Sequence, residues 1–287
     1  MWSAPYYFPF LRIDTINTAA EYQIPPCFVK RCDVPFSRPS CGSDAIYRLV
    51  CDSKNMRLSA LITPPFDARI DVAWDERQVV LGLAAVVAMV ATTLALLSLA
   101  FDEPTPGWVV LGSTLALDAA MVAAATRLGP GRIGAIASLM GSRRLATRPL
   151  YGWAAVAFAA SLLGGAIYVT LVGNISQDLV PPPLPETLDD GQLRWLTFIV
   201  VVLVGPFVEE VFFRGFVFAG LLRRFGLPLA VVVSSLVFAV AHMDVAVAGP
   251  AFLSGTAFAL VYWRTGALWP LVLAHTAQNA IAFALSG

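Results

Sequence analysis

Residues 195–222 read WLTFIVVVLVGPFVEEVFFRGFVFAGLL, a run whose only charged side chains are Glu209, Glu210 and Arg214. At about 1.5 Å per helical residue such a run exceeds the roughly 30 Å of a bilayer's hydrocarbon core. It is long enough to cross at a tilt, or to be broken near Pro206. Placing an acid or base at the centre of that core costs roughly 2.5–3.5 kcal/mol on insertion scales, so residues retained there usually face a protein interior and carry function. This stretch sets both the fold class and the search for a site.

Working outward, further apolar windows lie at 79–101, 108–126, 151–173, 228–243, 245–263 and 267–286. Together they predict an all-α, polytopic transmembrane helical bundle of about seven spans. The fifth span is short and the fourth long, so the count is good to about one. The period-two patterning of a membrane β-barrel is absent. Composition agrees: 58% of residues are hydrophobic and 13% charged, against roughly 45–50% and 25% in soluble domains. Residues 1–78 hold nine of the 19 acidic and nine of the 19 basic side chains, leaving ten of each for the other 209 residues. A net charge of zero and the lack of a basic run exclude an electrostatic footprint for nucleic acid.

Three regions follow: an N-terminal extension over 1–78, N-terminal membrane helices over 79–192, and a C-terminal helical core over 193–286. Arg127, Arg132, Arg143, Arg144 and Arg148, then Arg223 and Arg224, then Arg264, alternate with loops carrying Asp102 and Glu103, and later Asp178, Glu186, Asp189 and Asp190. Because basic residues near span ends stay on the cytoplasmic side, the N-terminus is expected in the cytoplasm. Residues 132–146 are expected as an interfacial helix or a solvated loop, and Pro181 to Pro183 mark an extended linker. The first 55 residues contain all four cysteines (Cys27, Cys32, Cys41, Cys51) and no apolar run of signal-peptide length. Their spacing does not match paired zinc-binding CxxC clusters. Residues 1–55 are expected to be a poorly ordered extension, or one preceding a translational start at Met56. Two lysines against 17 arginines, with abundant Ala, Val and Gly, suggest a GC-rich genome and a bacterial cell membrane.

Within the spans the ionisable residues are Asp118, Glu209, Glu210, Arg214, His242 and His275, and the two histidines are the only ones in the chain. Five of the six fall in the last four spans, which points to one shared site. Asp118 stands apart and reads as a structural hydrogen-bonding residue. Arg214 is i+4 from Glu210, on the same helical face, and so neutralises it. Glu209 lies about 100° round the helix and is free to face a cavity as a general base. His275 and Asn279 share a face, as do Phe238 and His242. Counted from the loop arginines, Glu209, His242 and His275 all fall at membrane depth.

Carboxylates, imidazoles and an amide in a membrane pocket suit activation of water for hydrolysis. Other chemistries lack their parts. Ser254-Gly255 has no glycine turn before it, the zinc helix HExxH is missing, and an aspartyl dyad would need a second intramembrane aspartate.

The motifs Glu209-Glu210-Val211-Phe212-Phe213-Arg214 (EExxxR), Phe238-Ala239-Val240-Ala241-His242 (FxxxH) and His275-Thr276-Ala277-Gln278-Asn279 (HxxxN), in this order on separate apolar helices, resemble the CPBP family. These are the CAAX proteases and bacteriocin-processing enzymes, also called Abi. Arg264-Thr265-Gly266-Ala267-Leu268-Trp269-Pro270 is similar to that family's lead-in to the third motif. The resemblance covers about 195–284. It implies an intramembrane endopeptidase with Glu209 and His242 activating water, His275 and Asn279 stabilising the oxyanion, and Glu210, Arg214 and Phe238 in support. The implied partners are a peptide or membrane-protein substrate and the lipid bilayer. These roles need no cofactor; a minority reading places Zn²⁺ on Glu209, His242 and His275. The competing class is a non-catalytic membrane immunity or scaffold protein that binds a peptide partner in the same cavity. A proton-relaying transporter ranks lower, as no inverted repeat is visible.

Overall fold

The protein is described by a computed structural model covering residues 70, 72–101, 105–131, 139–140, 147–182, 191 and 193–285. The extension over 1–55 with its cysteines, and residues 132–138 and 141–146 of the candidate interfacial segment, lie outside the described residues. The described chain is helical, with no strand among the described residues. Six helices are α1 (Glu76–Ala100), α2 (Gly107–Leu128), α3 (Thr147–Val172), α4 (Leu193–Ala241), α5 (Val245–Thr265) and α6 (Trp269–Leu285). The first five are long and apolar enough to cross a membrane, and α6 has 17 residues.

The 49-residue α4 is two rods in one run. Gly226 has φ 70° and ψ 174°, and Pro228 follows it. Positive φ costs glycine little, and proline removes a ladder donor. The chain therefore turns between an arm at 193–225 and an arm at 227–241, which correspond to the expected spans 195–222 and 228–243. Seven rods thus arise from six helices.

Starts and stops follow local chemistry. Asp75 caps α1, accepting from the amides of Arg77 at 3.0 Å and Gln78 at 3.3 Å, while its own amide donates to Gln78 Oε1 at 2.9 Å. This reciprocal capping box satisfies donors that have no intrahelical partner. Gln78 Nε2 then donates to Leu128 O at 2.9 Å, tying the start of α1 to the end of α2. Asp244 caps α5 through Ala246 N at 2.8 Å, and Gly266, in the left-handed region at φ 62°, ends it.

The first arm of α4 departs from α geometry. Phe198–Val204 and Glu210–Phe218 are π-helical, flanking Gly205–Glu209 with Pro206. All nine residues from Glu210 to Phe218 are buried, so this segment is enclosed on every side, the paired Glu210 and Arg214 side chains included. It packs against α2, the second arm of α4 and α5. By contrast α1 and α3 leave large apolar side chains outside, such as Leu99 and Leu163, consistent with lipid contact for an integral membrane protein.

Candidate active site

Glu210 is the centre of the buried polar cluster. Its side chain is fully buried, and Arg214 Nη1 donates to its Oε1 at 2.7 Å. His275, from α6, brings Nδ1 within 2.9 Å of the same oxygen. A carboxylate only accepts, so this contact assigns the ring hydrogen to Nδ1. The opposite nitrogen, Nε2, faces Glu209 Oε2 at 3.7 Å. Glu209 therefore has no direct hydrogen bond at Oε2, and its side chain keeps 26% exposure against none for Glu210.

Aromatic rings hold these groups in place. Arg214 lies with its guanidinium carbon 4.2 Å from the Phe238 ring centre and 5.3 Å from that of Phe258, a cation–π arrangement that suits a desolvated arginine. Phe238 also meets His275 edge-on at 6.0 Å, and Phe258 packs on His275 at 5.6 Å. Phe258 is fully buried; it belongs to none of the three motifs and was missed from sequence, where it reads as ordinary core.

His242 joins through Phe238 rather than through a carboxylate. The two rings are 4.9 Å apart, and His242 Nδ1 lies 2.9 Å from Phe238 O. A carbonyl only accepts, so Nδ1 carries the hydrogen and Nε2 presents a lone pair. His242 sits at the end of α4, in the turn before α5, and is exposed.

Asn279 is engaged with backbone. Its Nδ2 donates to Val201 O at 2.9 Å. In the π register around Val201, Gly205 N–H bonds Val200 O, and the next donor would come from residue 206. That residue is proline, which has none, so the Asn279 amide takes the vacated place.

Asp118 corrects the sequence reading. It does not stand apart as a satisfied structural residue: it is 5% exposed, and its Oδ2 is buried without a hydrogen-bond partner. α2 presents it to a cavity of about 480 Å³ shared with Val204 and Val208 of α4, within electrostatic reach of Glu209. The periodicity of α2 was legible, but no spacing in the sequence reported which helix it faces.

For the Zn²⁺ reading, Glu209, His242 and His275 would have to converge. Among the described residues no group of three or more His, Cys, Asp or Glu side chains is arranged to hold a metal ion.

Residues 191–281 match the family model "Type II CAAX prenyl endopeptidase Rce1-like". Over these residues the chain is similar to that family. All three motifs fall inside the matched range, as do the two π-helical segments that shape the cluster. A relative from Bacillus subtilis (strain 168), named "Putative membrane peptidase YdiL", is 31% identical over 133 residues. That alignment covers 44% of this chain and 52% of the relative, so the chain spans about half the length of the curated relative it matches. No solved structure matches the chain.

Proposed function

We propose that this chain is an intramembrane endopeptidase in which Glu209 acts as general base on a water molecule that attacks a peptide carbonyl. The observation that carries the reading is the difference between adjacent glutamates. Glu210 is fully buried with Arg214 and His275 on its Oε1, whereas the Glu209 side chain is partly exposed and committed to no such pair; the Oε2 atom of each is buried without a partner. A base must be reachable by water and uncommitted to another proton donor. The interval between Glu209 Oε2 and His275 Nε2, at 3.7 Å, is too long for a direct bond and leaves both groups free to engage a reactant. His242 Nε2, with its lone pair exposed, orients the same water. Asn279 faces the developing oxyanion with the second N–H it keeps beyond the one given to Val201 O, and His275 joins it as the imidazolium, with a hydrogen on Nε2 as well as the one on Nδ1 held by Glu210. None of these roles requires a metal.

The substrate is a peptide or the end of a membrane protein that reaches the cavity from the bilayer or its surface. The chain sits in a bacterial cell membrane with its N-terminus cytoplasmic. Support comes from the arginine alternation and from the family and relative matched above. Cleavage of peptides by purified protein, lost in Glu209→Gln, is the test. Peptide binding without turnover in both proteins would favour the non-catalytic scaffold reading.

A further inference from the structure

Electrostatic accounting at the site is unbalanced. Asp118, Glu209 and Glu210 supply three carboxylates, and Arg214, bonded to Glu210, is the guanidinium among them. Arg127 also lines the cavity with Asp118, but it is nine residues further along α2, roughly 14 Å at the helical rise. It therefore leaves Asp118 Oδ2 uncompensated, and a buried polar oxygen without a partner is costly, the more so when charged.

The cavity constrains what completes it. Its walls near Asp118 are apolar, made by Leu115, Val122, Val204 and Val208. The Thr126 hydroxyl, also on the wall, is turned into its own helix and donates to Val122 O at 2.7 Å. One carboxylate among apolar walls does not make a site for a hard inorganic cation, which takes six or more oxygen ligands. It does match a side chain with an alkyl stem and a cationic head, whose stem lies along apolar surface while the head reaches the charge. The lining residues from Leu115 to Arg127 span twelve positions, about 18 Å of helix, a length that accommodates about five extended residues.

We propose that this groove along α2 seats the substrate peptide, with a lysine or arginine side chain of that peptide paired to Asp118. Calling the occupant a substrate rests on the endopeptidase reading; the cation preference does not. Asp118 is then a specificity-determining residue, reading a position near the bond presented to Glu209.

The test uses full-length protein in detergent micelles carrying Glu209→Gln, which removes the other unpaired carboxylate. Fluorescent hexapeptides of Ala and Val, with lysine or norleucine scanned through the central positions, are followed by anisotropy. The lysine peptide is expected to bind about tenfold tighter or more at its best position, as one charge-assisted hydrogen bond provides. Asp118→Asn should equalise the two while leaving norleucine binding unchanged, and Asp118→Glu should retain the preference. Equal binding in the Asp118 protein overturns the proposal without any variant at 118, as does a lysine preference that survives in folded Asp118→Asn. Hydrolysis by the unsubstituted protein is measured separately. Its absence would sink the endopeptidase reading while leaving a lysine preference to stand.

Discussion

His275 Nδ1 and Arg214 Nη1 converge on one oxygen, Glu210 Oε1, at 2.9 and 2.7 Å. Helices α4 and α6 are therefore joined at a buried charge. Arg214 is 2% exposed, and removing its counter-ion leaves a cation in a low-dielectric interior. Glu210→Gln should cost about 3–5 kcal/mol of stability, the usual penalty for breaking a buried pair from one side. Glu209→Gln, at a partly exposed group with no bonded partner at Oε2, should change stability by less than about 1 kcal/mol and abolish cleavage. Thermal unfolding alongside cleavage per folded molecule separates the two. A fully folded, inactive Glu210→Gln beside an active Glu209→Gln would reverse the assignment.

The contact between α1 and α4 gives a packing prediction. A Cβ on Gly220 would lie 2.5 Å from Val79 Cγ2 and 2.9 Å from Trp74 Cδ1. The Trp74 ring has little freedom to retreat, since its Nε1 donates to Phe216 O at 2.9 Å and its face stacks on Phe216 at 6.1 Å. Gly220→Ala should therefore destabilise by about 1–3 kcal/mol through overpacking. Val79→Ala added to it should recover part of that loss by removing the nearer obstacle. Melting temperatures of the single and double variants decide; an additive double would show that Val79 is not what the new methyl meets.

The sequence was informative wherever a rule depends on local spacing. The i, i+4 interval brings Arg214 to Glu210 and Phe238 to His242 in α and π geometry alike, so both pairs were readable without coordinates. Run length located the rods, and the gap between the windows 195–222 and 228–243 falls where Gly226 and Pro228 divide the long run. What escaped depends on which helices touch. His275 was grouped with Asn279 by face, yet its ring spans the interval between two glutamates on α4. Phe258 and Asp118 acquire meaning only from the helices opposite them. The π register around Val201 has no propensity signature; it is visible in hindsight through Pro206, which cannot continue the ladder.

Membrane orientation can be tested at two positions on opposite ends of the bundle. Arg224 lies 3.8 Å from Glu76 at the start of α1, so that turn and the N-terminal end of α1 share a side. Asp178, exposed in the short turn after α3, belongs to the acidic alternate set. In a cysteine-free background, a cysteine at 178 should react with an impermeant maleimide on intact cells, and one at 224 only after lysis. Labelling of 224 from outside would invert the orientation and with it the cytoplasmic placement of the N-terminus.

Asn279 and Pro206 should be energetically coupled although neither was chosen for the other by sequence spacing. Pro206 deprives Val201 O of a ladder donor, and Asn279 Nδ2 supplies one at 2.9 Å from α6. Asn279→Ala then leaves a partly buried carbonyl unsatisfied, a loss of about 1–3 kcal/mol. Pro206→Ala restores an N–H in the position from which a π-type bond to Val201 O is made. With that donor present the amide is no longer needed for the backbone, so the double variant should lose less stability than the sum of the singles, by about 0.5–3 kcal/mol. Cleavage reads a different quantity. If Asn279 also faces the oxyanion, the double variant should refold to near the stability of Pro206→Ala and still turn over slowly, whereas a purely structural Asn279 would regain rate together with stability. A stability cycle that closes additively would show that the Val201 carbonyl does not connect the two residues.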